Sequence, residues 1–192
     1  IRKKMKVFLA LMMVFMLIPS SPFSTAASGD NITKAEFIAK ISTYFAWPHP
    51  SDYNDIWKAP LKQFNDVKTT DRFGKLIEAA YEEGIISPDA AGNFYPENEI
   101  SREDAAVILV EAFKIEKSEK AAPFSDYNEI SMDAIGSVNA LANLGFMSGK
   151  TAKLFKPQEP IKRSEVNQIF DKITSTMVTP VQALPKQNTV AP

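Results

Sequence analysis

The segment GNFYPENEISRED at residues 92–104 decides the fold of this 192-residue chain, because it recurs 61 residues later as KLFKPQEPIKRSE at residues 153–165. The two copies share a phenylalanine, a proline, an isoleucine, an arginine and an acidic residue at the same spacing. A shorter segment, ITKAE at residues 32–36, matches the end of the motif a third time. A fixed period of this kind is typical of repeat architectures. The sequence therefore predicts two full units and the back half of another.

Landmarks outside these segments keep nearly the same register. Gly84 returns at Gly145, and a Phe-x-Asp motif at residues 64–66 returns one residue closer at residues 124–126. Each full unit is thus predicted to hold a Phe-x-Asp turn, a first helix that ends at glycine, a loop and a second helix. We call the two kinds of helix first-type and second-type.

Both kinds of helix are predicted from apolar residues at helical spacing. One first-type helix begins near Phe73, and its counterpart spans about 132–144. The second-type helices start at Thr33, Ser101 and Lys162. The sequence therefore predicts an all-α fold of helix-loop-helix repeats.

A loop of about fifteen residues, 85–99, joins the two helices of the middle unit. A loop of this length needs an anchor. Phe94 and its counterpart Phe155 stand in otherwise polar loops, so we predict that both rings are buried against the helix pair.

Residues 1–27 are predicted to be a secretory signal peptide. Four basic residues precede an unbroken apolar run at residues 7–18, and Thr25-Ala26-Ala27 offers a small-residue cleavage site. The run is too short to span a membrane as a helix, which needs about 20 apolar residues. We expect an exported chain that is free of the membrane after cleavage; an uncleaved anchor is the alternative.

Charge and composition exclude several classes of partner. Removing the four basic residues of the signal region from the 22 in the chain leaves 18 against 23 acidic residues, a net charge of about −5. This balance argues against nucleic acid, so any anion site must be local. The chain has no cysteine and one histidine, His49, which lies in no metal-ligand or catalytic constellation. We expect no cofactor and no metal.

The order of motifs resembles the S-layer homology family: F-x-D-V, a helix ending in G-I-I, then G-x-F-x-P, then I-T/S-R/K-x-E/D at the start of a second helix. The resemblance covers most of residues 30–173. The matching segments are FNDV (64–67), GIIS (84–87), GNFYP (92–96) and ISRED (100–104), then FSD (124–126), GFMSG (145–149), FKP (155–157) and IKRSE (161–165).

The resemblance divides the chain into a signal peptide and four further parts. These are a partial repeat with an aromatic insertion at 28–60, full repeats at 61–116 and 121–175, and a disordered tail or linker at 176–192. The insertion, from Trp47 to Pro60, is predicted to pack where the missing half-unit would place a helix; an aromatic platform for sugars is the alternative.

The resemblance implies a non-catalytic module that anchors a protein to the bacterial cell wall. Three units of this family form a three-pronged pseudo-trimer that binds a secondary cell-wall polysaccharide or another peptidoglycan-linked polymer. In several members a pyruvate ketal supplies the anionic group that is recognised. The protein is then expected to be secreted to the cell wall or S-layer. Because the first unit is predicted to lack its front half, the pseudo-trimer is expected to be incomplete, to be completed by residues outside this chain, or to be completed by the aromatic insertion.

Six residues are candidate ligands of the wall polysaccharide. The resemblance implies that the basic residue of each second-type helix and the first glycine of the loop contact the carboxylate, and we add the aspartates of the Phe-x-Asp motifs. These candidates are Lys34, Arg102, Arg163, Gly149, Asp66 and Asp126.

The residues themselves favour an anion site. Capping motifs at 33–36 and 101–104 put a basic residue in the first helical turn, where free backbone N–H groups and a cation bind a carboxylate well. The alternative is that the arginines pair with acidic neighbours such as Glu103 or Glu165. In the last unit Lys162 replaces the capping hydroxyl, which weakens that helix start by roughly 1 kcal/mol.

Two other functions stay open on the sequence. One is a protein-interaction or assembly module of the cell surface that keeps the repeat but has lost glycan binding, since Pro88 replaces the loop glycine in the middle unit. The other is a wall-glycan hydrolase that uses a pair of carboxylates.

Overall fold

The computed structural model describes residues 29–45, 47 and 63–177. The predicted signal peptide, the tail after residue 177 and the aromatic insertion apart from Trp47 lie outside this part. The described helices are α1 (Lys34–Phe45), α2 (Gly74–Glu82), α3 (Arg102–Phe113), α4 (Ile135–Asn143) and α5 (Arg163–Thr176), with a short 3-10 helix at Tyr127–Glu129. The predicted all-α class is confirmed. Within the described ranges no helix is long and apolar enough to cross a membrane.

The three second-type helices, α1, α3 and α5, begin where the sequence predicts. The Thr33 hydroxyl accepts the Glu36 N–H at 3.2 Å, and the Glu36 carboxylate accepts the Thr33 N–H at 3.0 Å, which completes a capping box. Ser101 caps α3 by accepting the Asp104 N–H at 3.1 Å. At the start of α5, the Lys162 ammonium cannot accept a hydrogen bond from a backbone N–H. The Lys162 N–H itself donates to the Glu165 carboxylate at 3.1 Å, which stabilises this helix start.

Of the first-type helices, α2 begins at Gly74, next to the predicted Phe73, whereas α4 begins later than the sequence predicts. Residues 131–134 form a turn before α4, and the predicted first residue, Met132, is 90% exposed. The predicted ends are confirmed, because Gly84 and Gly145 follow the helices with φ of 69° and 75°. Nothing crowds a Cβ at either position, so the left-handed backbone alone calls for glycine there.

The three second-type helices meet through a ring of hydrogen bonds just before their first turns. The N–H of Ile100 donates to Ile32 O at 3.0 Å, that of Ile32 to Ile161 O at 3.3 Å, and that of Ile161 to Ile100 O at 3.0 Å. All three isoleucines are buried. Each unit therefore contacts the other two in the same way, although the three-pronged outline of the resemblance stays a prediction.

The core lies between these three helices, with one first-type helix packed beside α1 and one beside α3. The α2 helix contacts α1, and α4 contacts α3. Aromatic rings fill the far end of the core: Tyr44 stacks on Phe170 at 4.8 Å between centroids, and Phe113 meets both of these rings edge-on. Trp47 is buried and stacks on Phe45 at 6.0 Å.

Candidate functional site

The aspartates of the two Phe-x-Asp motifs hold the loops between the helices. The two oxygens of Asp66 accept the N–H groups of Phe94 and Tyr95 at 2.9 and 2.6 Å. Those of Asp126 accept the N–H groups of Phe155 and Lys156 at 2.8 and 2.7 Å. Both aspartates that the sequence analysis named as polysaccharide ligands therefore bind backbone N–H groups of the protein itself.

These hydrogen bonds support an unusual backbone conformation. Tyr95 and Lys156 both have φ close to 60°, a region that side chains disfavour. Burial alone would raise the pKa of Asp126, but the N–H groups of Phe155 and Lys156 hold that pKa below its usual range. The motif therefore uses an ionised carboxylate to fix the bend that turns each phenylalanine inward.

The two loop phenylalanines are buried, as the sequence predicts. Phe94 is 5% exposed and meets Phe64 at 5.8 Å, while Phe155 is fully buried and meets Phe124 at 5.3 Å. Because the first phenylalanine of each pair belongs to the Phe-x-Asp motif, one short motif supplies both the ring and the carboxylate that anchor its loop.

The three predicted cations form a cyclic set of ion pairs between units. Each basic residue at the start of a second-type helix pairs with the acidic residue two positions further along in the next unit. The pairs are Lys34–Asp104 at 3.3 Å, Arg102–Glu165 at 2.8 Å and Arg163–Glu36 at 2.6 Å. The structure therefore puts Lys34, Arg102 and Arg163 in equivalent places between neighbouring units.

Arg102 is the most deeply enclosed of the three, with its side chain 1% exposed. Its Nε donates to Phe155 O at 2.8 Å, one terminal nitrogen donates to Glu165, and the other to Ser148 O. Burial lowers the pKa of Arg102, and Glu165 opposes that change. Of the two acidic neighbours named as alternatives, Glu165 is the partner; Glu103 instead accepts from Ser131 and Gln158.

Arg163 and Lys34 are more accessible. Their side chains are 29% and 23% exposed, and each has one ion pair among the residues that the structure describes. Glu36, the partner of Arg163, also accepts the Thr33 N–H; burial would raise its pKa, but these contacts lower it overall. An approaching anion can therefore reach these two cations more readily than it can reach Arg102.

Gly149 lies beside Arg102 in a tightly packed turn. A Cβ at this position would come within 2.5 Å of Thr151 O and 2.7 Å of Leu154 O. The glycine is thus required by packing within the loop itself. Gly149 and Arg102 do line the same groove, so the structure brings these two predicted site residues together.

Three grooves lie at the three ion pairs, and we name each after its basic residue. The Lys34 groove is the most spacious, at about 750 Å³, and runs along the loop after α2. The Arg163 groove, at about 290 Å³, lies between α1 and α5. The Arg102 groove, at about 140 Å³, is bounded by the loop after α4 and by α5.

Sequence analysis named Glu165 only as an alternative partner, and it missed Asp104 and Glu36 as partners and two lysines close to the Arg102 groove. Lys150 Nζ lies 3.2 Å from Glu165, and Lys172 lines the groove while donating to Gly145 O at 3.1 Å. The sequence did contain one signal for the acidic partners, because each second-type helix has an acidic residue two positions after its basic residue. Residues two apart do not face each other on a helix, so these charges cannot pair within one helix start. Their recurrence in all three units therefore favours pairing between units.

Comparison with known proteins agrees with this architecture. Residues 63–106 and 123–166 match the family model for the S-layer homology domain. The chain therefore contains two repeats of the S-layer homology family, and the resemblance of the sequence is confirmed.

Relatives include both surface-layer proteins and enzymes. The chain is 33% identical over 144 residues to an exoglucanase, XynX, of Acetivibrio thermocellus, which is 72% of this chain and 12% of that enzyme. It is 30% identical over 115 residues to a surface-layer 125 kDa protein of Lysinibacillus sphaericus (58% of this chain, 9% of that protein). It is 26% identical over 158 residues to S-layer protein EA1 of Bacillus anthracis (79% and 16%).

The chain spans less than a fifth of the length of each of these relatives. The name of the exoglucanase therefore says nothing about catalysis by this chain. The repeats, together with the surface-layer relatives, support a cell-wall anchoring module at the cell surface.

Proposed function

We propose that the chain anchors to the bacterial cell wall by binding an anionic, pyruvylated secondary cell-wall polysaccharide in the grooves between its repeats. The single observation that carries this proposal is the cyclic arrangement of Lys34, Arg102 and Arg163. Each lies at the start of a second-type helix and beside a groove. Cations at such positions attract a carboxylate, and several weak contacts on one polymer chain reinforce each other.

In this proposal the six candidate residues have different tasks. Arg163 attracts the anion directly because its side chain is partly exposed, whereas Lys34 pairs with Asp104 and links two neighbouring units. Arg102, Gly149, Asp66 and Asp126 shape the grooves, since each is engaged with neighbouring backbone or side chains. The protein itself performs no catalysis.

Sedimentation with purified wall sacculi tests the proposal. We expect the folded protein to sediment with sacculi and to remain in the supernatant once the secondary polysaccharide has been chemically removed. The Arg163→Gln variant should bind more weakly, whereas Lys120→Gln, which changes an exposed lysine outside the grooves, serves as a matched control. Equal sedimentation with intact and stripped sacculi would favour the protein-interaction alternative.

A further inference from the structure

The Lys34 groove and the Arg102 groove, which lie beside the loops of the two full repeats, carry opposite charge. Lys34 is the one basic residue among the described residues that line the Lys34 groove, and five acidic residues surround it. These are Asp89, Glu103, Asp104, Glu111 and Asp133. The formal charge of this lining is therefore about −4, from one positive and five negative side chains.

The acidic side chains of the Lys34 groove are held in place. Lys34 itself is already paired with Asp104 at 3.3 Å. Glu103 is 6% exposed and accepts hydrogen bonds from Ser131 and Gln158, which fix its carboxylate at the groove wall. An anionic ligand that entered here would meet five carboxylates and one cation, so the charges of the lining would repel it.

The Arg102 groove has the opposite balance. Arg102 and Lys172 line it together with a single acidic residue, Glu165. A third cation, Lys150, lies 3.2 Å from the same carboxylate. The lining alone, with two positive side chains and one negative, has a formal charge of about +1, and Lys150 adds a further positive charge beside Glu165.

The two lysines, and not Arg102, have room for a ligand. All three nitrogens of the Arg102 guanidinium donate hydrogen bonds to protein acceptors, and the side chain is 1% exposed. Lys150 is 27% exposed, and Lys172 is an exposed residue. Each lysine ammonium donates to one acceptor among the described residues. Because an ammonium has three N–H donors, each lysine can also donate to a ligand.

We propose that the Arg102 groove takes the carboxylate of the wall polymer, that Lys150 and Lys172 contact it directly, and that Arg102 is a positioning residue which holds Glu165 and the loop carbonyls. The Lys34 groove does not take the anion. This inference rests on the proposed function and adds two residues that the repeated motif does not contain.

The test compares charge-matched variants by calorimetry at about 0.15 M salt, where exposed charges further apart than about 8 Å are screened. The soluble probe is a monosaccharide glycoside that carries a pyruvate ketal, with the same glycoside lacking the ketal as a control. Lys150→Gln with Lys172→Gln removes the proposed contacts, and Lys120→Gln with Lys153→Gln removes two positive charges that line none of the grooves. Circular dichroism confirms that each variant is folded.

We expect the Lys150 and Lys172 double variant to lose at least tenfold in affinity for the ketal glycoside, and the control double variant to stay within twofold of the parent. The difference should vanish for the glycoside without the ketal. Asp133→Lys, which adds a positive charge to the Lys34 groove, should leave affinity within twofold.

The outcomes separate the two proposals. If the parent binds sacculi and the ketal glycoside but the groove double variant binds as well as the parent, this inference is overturned while the proposed function stands. The inference is also overturned if Asp133→Lys tightens binding severalfold, because the anion would then occupy the Lys34 groove. If the parent binds neither sacculi nor the glycoside, the proposed function falls and takes this inference with it.

Discussion

Replacing Arg102 by alanine should destabilise the protein far more than replacing Arg163, although the two arginines occupy equivalent positions in the repeat. The Arg102 side chain is 1% exposed and donates to three acceptors: Phe155 O, Ser148 O and Glu165. Removing one partner of a buried pair costs about 3–5 kcal/mol, because the other charge and the carbonyls lose their hydrogen bonds. Glu165 is 26% exposed and keeps Lys150, so we expect the lower end, about 3 kcal/mol.

Arg163 provides the matched comparison. Its side chain is 29% exposed and makes one ion pair with Glu36, which retains the Thr33 N–H when the arginine is removed. A partly exposed pair of this kind contributes about 0.5–1 kcal/mol. Arg102→Lys should fall between the two alanine variants, since an ammonium keeps the charge but cannot reproduce the planar fork.

Urea unfolding followed by far-ultraviolet circular dichroism at pH 7 measures these differences, and they are compared as free energies of unfolding with a common denaturant slope. The reasoning is refuted if Arg102→Ala costs less than about 1 kcal/mol, or if the two alanine variants are equally stable. A practical consequence follows for binding assays, because any loss of wall binding by Arg102→Ala must first be corrected for unfolded protein.

Three further predictions concern the loop anchors and the carboxylates. In urea unfolding, Asp126→Ala should lower the free energy of unfolding by about 1 kcal/mol or more beyond Asp66→Ala. The Asp126 variant leaves the buried Phe155 N–H without an acceptor, whereas both contacts of Asp66 are more exposed. Equal losses in the two variants would contradict this prediction. Phe155→Ala should cost roughly 3 kcal/mol or more, because the ring is fully buried, and a loss below about 1 kcal/mol would contradict it. The pKa values of Asp126, Glu36 and Glu165 are lowered in the folded protein. The stability that these carboxylates contribute is therefore fully present above the ordinary carboxyl pKa range and is lost as pH falls through the folded pKa values. The free energy of unfolding should decrease from about pH 5 to pH 3, and a flat pH profile would refute this prediction.

Much of the fold could be predicted because the repeat carries its own local signals. Capping motifs place the starts of α1 and α3, and Gly84 and Gly145 mark the ends of α2 and α4. The lone ring in each loop identifies the buried anchors Phe94 and Phe155. These features depend on residues close together in the chain, so their physical consequences follow from spacing alone.

The arrangement at the grooves was harder to predict, because it depends on which unit faces which. Nothing in the spacing says that Arg102 is buried and Arg163 is not, since both stand at the same position of the motif. The difference arises because the carbonyls of Phe155 and Ser148 surround Arg102 in the folded chain. Lys150 and Lys172 lie 22 residues apart; only after the loop and α5 have packed does Lys172 line the Arg102 groove while Lys150 pairs with Glu165 of the same groove.

The last second-type helix differs from its counterpart in a way that fits the partial first repeat predicted from the sequence. In α3, with α4 beside it, eight of 12 residues are buried, among them Ala106 and Val110. In α5 only four of 14 residues are buried, and the positions 61 residues after Ala106 and Val110 are the exposed Asn167 and Asp171.

Polar residues at these two positions make the solvent-facing side of α5 stable without a first-type helix, since no apolar stripe is left uncovered there. Within the described residues no helix packs along α5 in the way that α4 packs along α3. The partial first repeat that the sequence predicts is therefore accompanied by polar residues at these two positions of α5, two units away.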